Sequence, residues 1–330
     1  CSTVHDNSLE LCPHDGETLS SPDPLLGVTL DGKYRVEVLL GHGGMGAVYR
    51  ATHVVLDRTV AIKIIRGDFL SSTDREERFR REALAVARLK HAHVVTLYDY
   101  SVSPEHGTYI VMEYVNGRAL SGEIRRRGRL PAAAAIDLAR QICSAVQSAH
   151  AAGIVHRDLK PANVVLEITP GGAVMAKVLD FGIALIQQLD DLVPDRTGES
   201  GADATIDGVP IGTPLYMSPE QCAGEPADAR SDIYAIGCVL YEMLVGEPPF
   251  VSDRMHVLLY RHALVEPTPP SERGVPIHPD IDAAILRALA KRPEDRYESA
   301  DAFAQALGTV RSLVEADASF PPVMVAGSDL

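Results

Sequence analysis

Residues 155–166 read VHRDLKPANVVL, and a second stretch, VLDFG, follows soon after. Together they contain two carboxylates (Asp158 and Asp180), one amide (Asn163) and one cation (Lys160). Phosphoryl transfer needs this set of groups. We predict that Asp158 accepts the proton of an acceptor hydroxyl, and that Asp180 and Asn163 bind Mg²⁺ through oxygen. Lys160 is predicted to neutralise charge on the moving phosphoryl group.

Upstream, residues 40–48 read LGHGGMGAV and join two segments with strand-like alternation. Glycines allow backbone N–H groups to approach phosphates closely. Dinucleotide-binding folds use the same glycine spacing, but they need a helix directly after it, and here the segment after Gly46 is strand-like. On this motif alone, a plain β-hairpin turn stays open as the alternative.

Lys63 lies within the apolar segment VAIKII, and a buried ammonium group needs a partner. A helix predicted over residues 74–90 places Glu82 on its apolar stripe, beside Phe79 and Val86. We predict an ion pair between Lys63 and Glu82 that holds the lysine against ATP phosphates. A lysine that snorkels at the sheet edge is the alternative.

Periodicity predicts a sheet with one helix, followed by a mainly helical region. The predicted strands are residues 34–40, 47–53, 59–65, 94–100 and 109–114. The predicted helices after residues 74–90 are 132–152, 231–245, 281–291 and 300–314.

With these motifs in this order, the chain resembles the eukaryotic-type (Hanks-type) serine/threonine protein kinases, particularly those of bacteria. Ser218-Pro219-Glu220 replaces the usual Ala-Pro-Glu of that family. The resemblance implies an α+β, two-lobed protein-kinase fold, with a small antiparallel β-sheet lobe that carries one helix and a larger, mainly helical lobe. The expected domains are an N-terminal tail (1–28), the small lobe (29–115), the large lobe (116–314) and a C-terminal tail (315–330).

The resemblance also implies which residues bind the ATP cofactor with Mg²⁺, or with Mn²⁺ in its place. These are Gly41, Gly43, Gly46, Val48, Ala61, Lys63, Met112, Glu113, Val115, Asn163 and Asp180. Thr213 is expected to help position Asp158, and Asp232 is expected to brace the backbone of the loop around it. Arg296 is the expected partner of Glu220.

Two residues precede Asp158 in its motif. We interpret His156 as a packed histidine that shapes the loop rather than as a general base. The resemblance implies that Arg157 binds a regulatory phosphate on the segment between Asp180 and Glu220. We hypothesise that Thr205 is autophosphorylated and that Asp207 is a permanent partial substitute for a second phosphate; an ordinary polar loop is the alternative.

The composition limits partners and compartment. Lys and Arg total 31 against 45 Asp and Glu, a formal net charge of −14, which argues against general nucleic-acid binding. Five scattered cysteines are no disulfide framework, so a reducing, cytoplasmic compartment is expected. The partners implied are proteins that carry Ser or Thr, and a second copy of the chain for trans-autophosphorylation.

Neither a membrane helix nor a signal peptide is predicted. The most apolar stretch, residues 233–245, is short and contains Glu242, so we predict a buried core helix. Because the chain starts with Cys1 rather than Met, we interpret it as a fragment or a processed product, and a membrane anchor on a longer parent stays open.

Metal-ligand residue types occur near the start of the chain as Cys1, His5, Cys12 and His14. The stretch CPHDG resembles the second knuckle of the small zinc ribbons that precede some bacterial kinases. A full ribbon needs two Cys-x-x-Cys pairs, and neither is complete here. We therefore expect a degenerate or disordered remnant rather than a zinc site.

Three other functions are weighed against kinase activity. A pseudokinase that serves as an ATP-binding scaffold would lack Lys63, Asp158, Asn163 or Asp180, and all four are present. A small-molecule phosphotransferase of related fold would usually lack the Ser-Pro-Glu element. A dinucleotide-binding oxidoreductase is suggested by the glycines alone, and the strand after them argues against it.

Overall fold

The computed structural model describes residues 23–43, 46–67, 73–181 and 214–316. The chain divides into two compact units. The first holds the described residues up to Gly67 together with Tyr98–Tyr114, and the second holds the remaining described residues.

The first unit is built on an antiparallel sheet of six strands in the order β1-β2-β3-β4-β6-β5. The strands are β1 (Thr29–Leu30), β2 (Tyr34–Gly43), β3 (Gly46–His53), β4 (Arg58–Ile65), β5 (Leu97–Ser103) and β6 (Gly107–Glu113). Successive strands pair as hairpins, except that β4 pairs with β6 and leaves β5 at the edge.

Alternating apolar residues give this sheet one buried face. Val36, Ala51, Ile62 and Val111 come from four neighbouring strands and form its core. Tyr109 packs among them and donates its hydroxyl hydrogen to a carboxylate at the edge of the core, Asp31, at 2.5 Å. The buried phenol is therefore paired, as buried polar groups require.

The second unit is mainly helical and contains a small antiparallel sheet. Its helices are α1 (Thr73–Val86), α2 (Leu120–Arg127), α3 (Ala132–His150), α4 (Pro219–Cys222), α5 (Ala229–Val245), α6 (Met255–Leu264), α7 (Pro279–Ala288) and α8 (Ala300–Ala316). The small sheet has the order β7 (Gly117–Ala119), β8 (Val164–Ile168) and β9 (Val174–Val178).

Helix α5 is the centre of the second unit, and its residues from Ile233 to Tyr241 are all buried. The prediction of a buried core helix at residues 233–245 is therefore confirmed. Asp228 caps its first turn in a reciprocal capping box with Ser231, and Gly246 ends it in a left-handed conformation. Within the described part of the chain, none of the helices has the length and apolar character needed to cross a bilayer.

Several element boundaries differ from those predicted. Helix α1 ends at Val86 rather than residue 90, because the next residues form tight turns. The strand predicted over 94–100 begins at Leu97, since Val94 instead bridges to Val178 in the second unit. Helices α2, α4 and α6 were not predicted: α2 and α4 have only eight and four residues, and the pattern of α6 is interrupted by polar residues.

Candidate active site

The catalytic loop, residues 155–163, follows α3 and is held by a carboxylate from α5. Asp232 is almost fully buried; its Oδ2 accepts the N–H of His156 and its Oδ1 accepts the N–H of Arg157, both at 2.8 Å. Arg157 has a φ of +65°, a left-handed conformation that is costly for a residue with a Cβ. Asp232 therefore stabilises a strained backbone directly before Asp158, and this is the brace that the resemblance implied.

Asp158 lies at the surface of the loop, between a cation and an amide. Lys160 Nζ lies 2.8 Å from its Oδ2 and 3.1 Å from its Oδ1. Asn163 Nδ2 donates to the Asp158 carbonyl oxygen at 2.8 Å and to Oδ2 at 3.2 Å. The carboxylate keeps 29% of its side-chain surface exposed. It is oriented by its neighbours and still accessible to a hydroxyl from solution.

The segment that contains Asp180 contacts the same loop through its neighbours Leu179 and Phe181. The N–H of Leu179 donates to the Asn163 carbonyl oxygen at 2.8 Å, and the Leu179 carbonyl oxygen lies 2.9 Å from His156 Nε2. The His156 side chain is fully buried, and its ring centroid lies 4.7 Å from that of Phe181. The structure thus agrees with the interpretation of His156 as a packing residue, which ties the segment of Asp180 to the catalytic loop.

The chemistry of Asn163 and Asp180 fits a hard cation. Because Nδ2 of Asn163 is used as a donor to Asp158, its amide oxygen is the atom left for a cation. Asp180 adds a carboxylate, from a backbone with a φ of +57°. Carboxylate and amide oxygens are the ligands that Mg²⁺ prefers, and it usually keeps several waters, so two protein ligands are enough. Within the described ranges no cluster of three or more His, Cys, Asp or Glu residues forms a metal site.

Glu82 faces a cavity of about 370 Å³ in the second unit, between α1 and the start of the catalytic loop. Its lining includes Arg78, Arg81 and Arg157. Burial raises the pKa of Glu82, and the three arginines oppose that shift. Oε2 of Glu82 is buried without a hydrogen-bond partner among the described residues. The predicted pairing of Glu82 with Lys63 stays a prediction.

In the first unit, four of the predicted ATP-binding residues share one face of the sheet. Val48 lies directly opposite Lys63, and Ala61 lies directly opposite Met112. Residues opposite each other in antiparallel strands point to the same face, as do Ala61 and Lys63, two positions apart. Lys63 is buried there, at 8% exposure. Glu113 is the last residue of β6, and Val115 is the first residue of the chain segment that returns to the second unit.

The glycine-rich hairpin joins β2 to β3 and contains Gly41, Gly43 and Gly46. These positions are not equivalent. Gly46 has a φ of +150°, and a Cβ built there would lie 1.8 Å from the carbonyl oxygen of Ile64. A Cβ at Gly41 would meet nothing within 4 Å. Gly46 is thus required by the fold of the sheet, whereas Gly41 is not.

In the Ser-Pro-Glu element, Ser218 caps α4, and Pro219 and Glu220 begin the helix. Side-chain hydrogen bonds connect α4 to Arg296 and to the catalytic loop. Arg296 donates to both carboxylate oxygens of Glu220, at 2.8 and 2.7 Å, and both side chains are buried. Burial alone would raise the pKa of Glu220, but hydrogen bonds from Arg296 and Ser231 outweigh it and lower the pKa to about 2. Gln221 Nε2 donates to the Arg157 carbonyl oxygen at 2.9 Å, so α4 is tied to the catalytic loop.

Other predicted residues lie outside the described parts of the chain. They are Thr213, Thr205, Asp207, Cys1, His5, Cys12 and His14.

Sequence reasoning missed two residues that shape the loop. His150 Nε2 lies 2.7 Å from Oδ2 of Asp232, and Gln221 holds the Arg157 carbonyl oxygen. His150 is the last residue of an ordinary amphipathic helix, and Gln221 reads as a capping residue after Ser218. No local pattern marks either as part of the site, because both act across long separations in sequence.

Known proteins resemble this chain over most of its length. Residues 34–307 match the protein kinase domain family. Serine/threonine-protein kinase PknB of Mycobacterium tuberculosis is 40% identical over 274 residues, which cover 82% of this chain and 42% of that protein. Serine/threonine-protein kinase pkn3 of Myxococcus xanthus is 41% identical, covering 87% of this chain and 52% of its own. The chain spans about half the length of these relatives, or less.

The fold is also known from solved structures. The kinase domain of PknI from Mycobacterium tuberculosis superimposes with a TM-score of 0.65 and 28% sequence identity, covering 86% of this chain and 98% of that one. This agreement confirms the predicted α+β fold, with an antiparallel sheet lobe and a larger helical lobe. The family match extends across both units and includes every motif from the glycine-rich hairpin to Arg296, and the chain therefore belongs to the protein kinase family.

Proposed function

We propose that the chain transfers the terminal phosphoryl group of ATP to serine or threonine hydroxyls of proteins. The observation that carries this proposal is the arrangement around Asp158, where Lys160 and Asn163 hold an accessible carboxylate on a braced loop. Relatives that are 40–42% identical are named as serine/threonine-protein kinases or probable ones. The same residues give no support to a pseudokinase, since none of the reacting groups is replaced.

In this function Asp158 orients the acceptor hydroxyl and accepts its proton as the new P–O bond forms. Lys160, within hydrogen-bond distance of that carboxylate, offers its ammonium group to the phosphoryl oxygens. Thr213 is proposed to assist in positioning the hydroxyl. Because catalysis of this transfer depends on positioning and electrostatics, the rigid brace from Asp232 is part of the mechanism.

Protein kinases generally use ATP and Mg²⁺, and we propose which residues of this chain would hold them. Asn163 and Asp180 would bind Mg²⁺, which would neutralise charge between the phosphates. The glycine-rich hairpin would offer backbone N–H groups to the phosphates. Adenine would contact Val48, Ala61, Met112, Glu113 and Val115. Lys63, paired with Glu82, would hold the phosphates. We propose that Mn²⁺ can bind in place of Mg²⁺.

Regulation is proposed to act through Arg157. A phosphate on Thr205 would form charge-assisted hydrogen bonds with that guanidinium group, and Asp207 would supply part of the same charge permanently. The segment's phosphorylation in trans would involve a second copy of the chain. The proposed substrates are proteins. We also propose a reducing, cytoplasmic compartment, which agrees with the free Cys143, Cys222 and Cys238.

The test is an incubation with Mg²⁺ and γ-labelled ATP in the presence of a basic acceptor protein. We expect phosphoamino-acid analysis to find the label on serine or threonine. The Lys63→Met variant should transfer no label. Arg292→Met is the matched control, because Arg292 is an exposed cation whose ion pairs within the described residues are with the neighbouring carboxylates of Glu294 and Asp295. Transfer that Lys63→Met leaves intact, or label found on tyrosine alone, would contradict the proposal.

A further inference from the structure

Residues 118–129 form a basic stretch in a chain whose formal net charge is −14. The stretch reads RALSGEIRRRGR and contains five arginines, with Glu123 as its one acidic residue. It comprises the last two residues of β7, the whole of α2 and the turn that follows. The phosphotransfer chemistry proposed above uses none of these arginines.

A buried carboxylate, Glu123, gathers three of the arginines. Its Oε1 lies 2.8 Å from Nη2 of Arg126 and also pairs with Arg127, and its Oε2 lies 3.5 Å from Nη1 of Arg118. Hydrogen bonds from Arg126 and Arg127 hold the pKa of Glu123 below its ordinary value in spite of burial. Glu123 keeps 7% of its side-chain surface exposed, whereas its three partners keep 39–40%. An ionised, buried group thus fixes three guanidinium groups that are still open to water.

The bare backbone of Gly122 brings a fourth arginine beside these three. A Cβ built at Gly122 would lie 3.5 Å from Cγ of Arg118 and 4.0 Å from Nη2 of Arg125. Arg125 and Arg118 are therefore neighbours across that glycine. Within the described ranges, neither Arg125 nor Arg129 forms an ion pair with a carboxylate. We name the five arginines of residues 118–129 the arginine cluster.

The arginine cluster has a fixed position beside the catalytic loop. Helix α2 packs on the loop residues Pro161–Asn163. Its far end is held on α5, because the N–H of Leu130 donates to the Met243 carbonyl oxygen at 2.6 Å. The Gly128 carbonyl oxygen also lies so close to Gly246 that a Cβ built there would be 2.1 Å from it. The arginines are therefore carried by backbone that the core of the second unit holds in place.

The register of the small sheet gives the distance from the cluster to the reacting carboxylate. Arg118 lies opposite Leu166, three residues after Asn163, and Asn163 Nδ2 is 3.2 Å from the carboxylate of Asp158. At about 3.3 Å per strand residue, the cluster begins roughly 10 Å from Asn163. An extended polypeptide with its hydroxyl at Asp158 would therefore reach the cluster with residues about three or more positions away.

The chemistry of the cluster fits an anionic polypeptide. Guanidinium groups bind carboxylates with two parallel hydrogen bonds, and groups that are already ordered lose little conformational entropy on binding. The eight residues of α2 extend over about 12 Å, so the cluster can contact several successive acidic side chains and is longer than one phosphate group.

We propose that the arginine cluster is a docking site for an acidic segment of the acceptor protein. The inference rests on the proposed function and adds the class of acceptor that the chain favours. Such an acceptor carries a run of Asp or Glu residues a few positions from the serine or threonine that receives the phosphate.

Three variants separate an ordered site from bulk charge. Arg125→Gln/Arg129→Gln removes two cations that have no ion pair within the described ranges, so the fold should be kept. Arg35→Gln/Arg292→Gln is the matched control, because it removes the same charge from exposed side chains elsewhere. Glu123→Gln removes the carboxylate that orders three of the arginines and makes the chain more positive.

The first experiment needs no activity: each protein is titrated into a labelled oligoglutamate peptide, and fluorescence polarisation gives the Kd. We expect Arg125→Gln/Arg129→Gln to weaken binding about tenfold, since two charge contacts are lost, and the control to stay within about twofold of wild type. Glu123→Gln should also weaken binding, because the arginines lose their order. A surface that attracts anions by charge alone would bind more tightly in Glu123→Gln, and that result would contradict the proposal.

The second experiment compares an acidic with a basic acceptor protein. In Arg125→Gln/Arg129→Gln, KM for the acidic acceptor should rise about five- to tenfold, with kcat and KM for ATP within about twofold of wild type. KM for the basic acceptor should stay unchanged, because a basic segment gains nothing from the cluster.

Three results would overturn the proposal: an unchanged KM for the acidic acceptor, an equal rise for both acceptors, or tighter binding of a neutral phosphoserine peptide than of oligoglutamate. If the wild type labels neither acceptor, the proposed function fails, and the oligoglutamate titration still tests the arginine cluster.

Discussion

Asp232 is the residue on which the geometry of the catalytic loop depends most. Both of its oxygens are used on the loop and α3: Oδ1 accepts the N–H of Arg157, and Oδ2 contacts His156 and His150. A left-handed conformation at a residue such as Arg157 costs roughly 1–3 kcal/mol and persists only where its surroundings enforce it. The carboxylate of Asp232 supplies that enforcement.

Replacing Asp232 with asparagine tests this account at the scale of one residue. The substitution keeps the shape but turns one acceptor into a donor, which then faces a backbone N–H. We expect kcat to fall by roughly 10²-fold with KM for ATP nearly unchanged, because the loss falls on the positioning of Asp158. Steady-state kinetics at varied ATP measures both. A variant with wild-type kcat would show that the brace is dispensable.

Gly46 and Gly41 offer a matched pair of substitutions in one hairpin. Gly46→Ala places a methyl group against the Ile64 carbonyl, so β2–β3 must shift relative to β4. We expect this variant to weaken ATP binding at least tenfold and to lower thermal stability. Gly41→Ala has open space and should keep the stability of the wild type. Calorimetric ATP titration and thermal melts of both variants make the comparison, and equal behaviour would contradict it.

At the scale of elements, α4 depends on a buried ion pair with the loop before α8. Glu220 has a pKa of about 2, against 4.5 without its surroundings, so the unfolded chain binds its proton more readily than the folded one. The stability from this pair is fully present above about pH 4.5. It is lost as the pH falls from there towards 2, where folded Glu220 also takes up a proton.

Glu220→Gln should remove that pH dependence and lower stability at neutral pH. The substitution leaves Arg296 charged and buried, a loss of roughly 3–5 kcal/mol in similar cases. Glu294→Gln is the control, since Glu294 pairs with exposed Arg292 in the same loop and its loss should change little. Denaturant unfolding at pH 7 and at pH 3 measures both. A Glu220→Gln protein as stable as the wild type at pH 7 would contradict the assignment.

The helices and strands that the sequence predicted are those whose apolar residues recur regularly along one continuous stretch of the chain. Helix α5 is apolar on all sides and was predicted as a core helix, and α3 presents one clear apolar stripe. Helix α6 was missed because its buried face is short and includes His262, which only the tertiary structure shows to be internal. The strand that was expected at Val94 begins later, because that residue finds its partner in β9.

At the scale of the whole molecule, the candidate site was predictable wherever one short motif contains the chemistry. Asp158, Lys160 and Asn163 lie within six residues, and the structure brings their side chains together. The supports of that motif could not be predicted in the same way. His150 and Gln221 come from separate helices and have no signature, because what they do depends on distances that only folding creates.

Phosphoryl transfer by Asp158→Asn, with ATP affinity measured on the same protein, shows whether the Asp158 carboxylate is needed for the chemical step. Asparagine keeps the size of the side chain and its contact with Lys160 but cannot accept the acceptor's proton. We predict that transfer to the acceptor protein falls by roughly 10²- to 10⁴-fold while the Kd for ATP with Mg²⁺ changes less than about threefold. Transfer within a few fold of the wild type, or a loss of activity that follows a loss of ATP binding, would contradict the claim that Asp158 performs the chemistry.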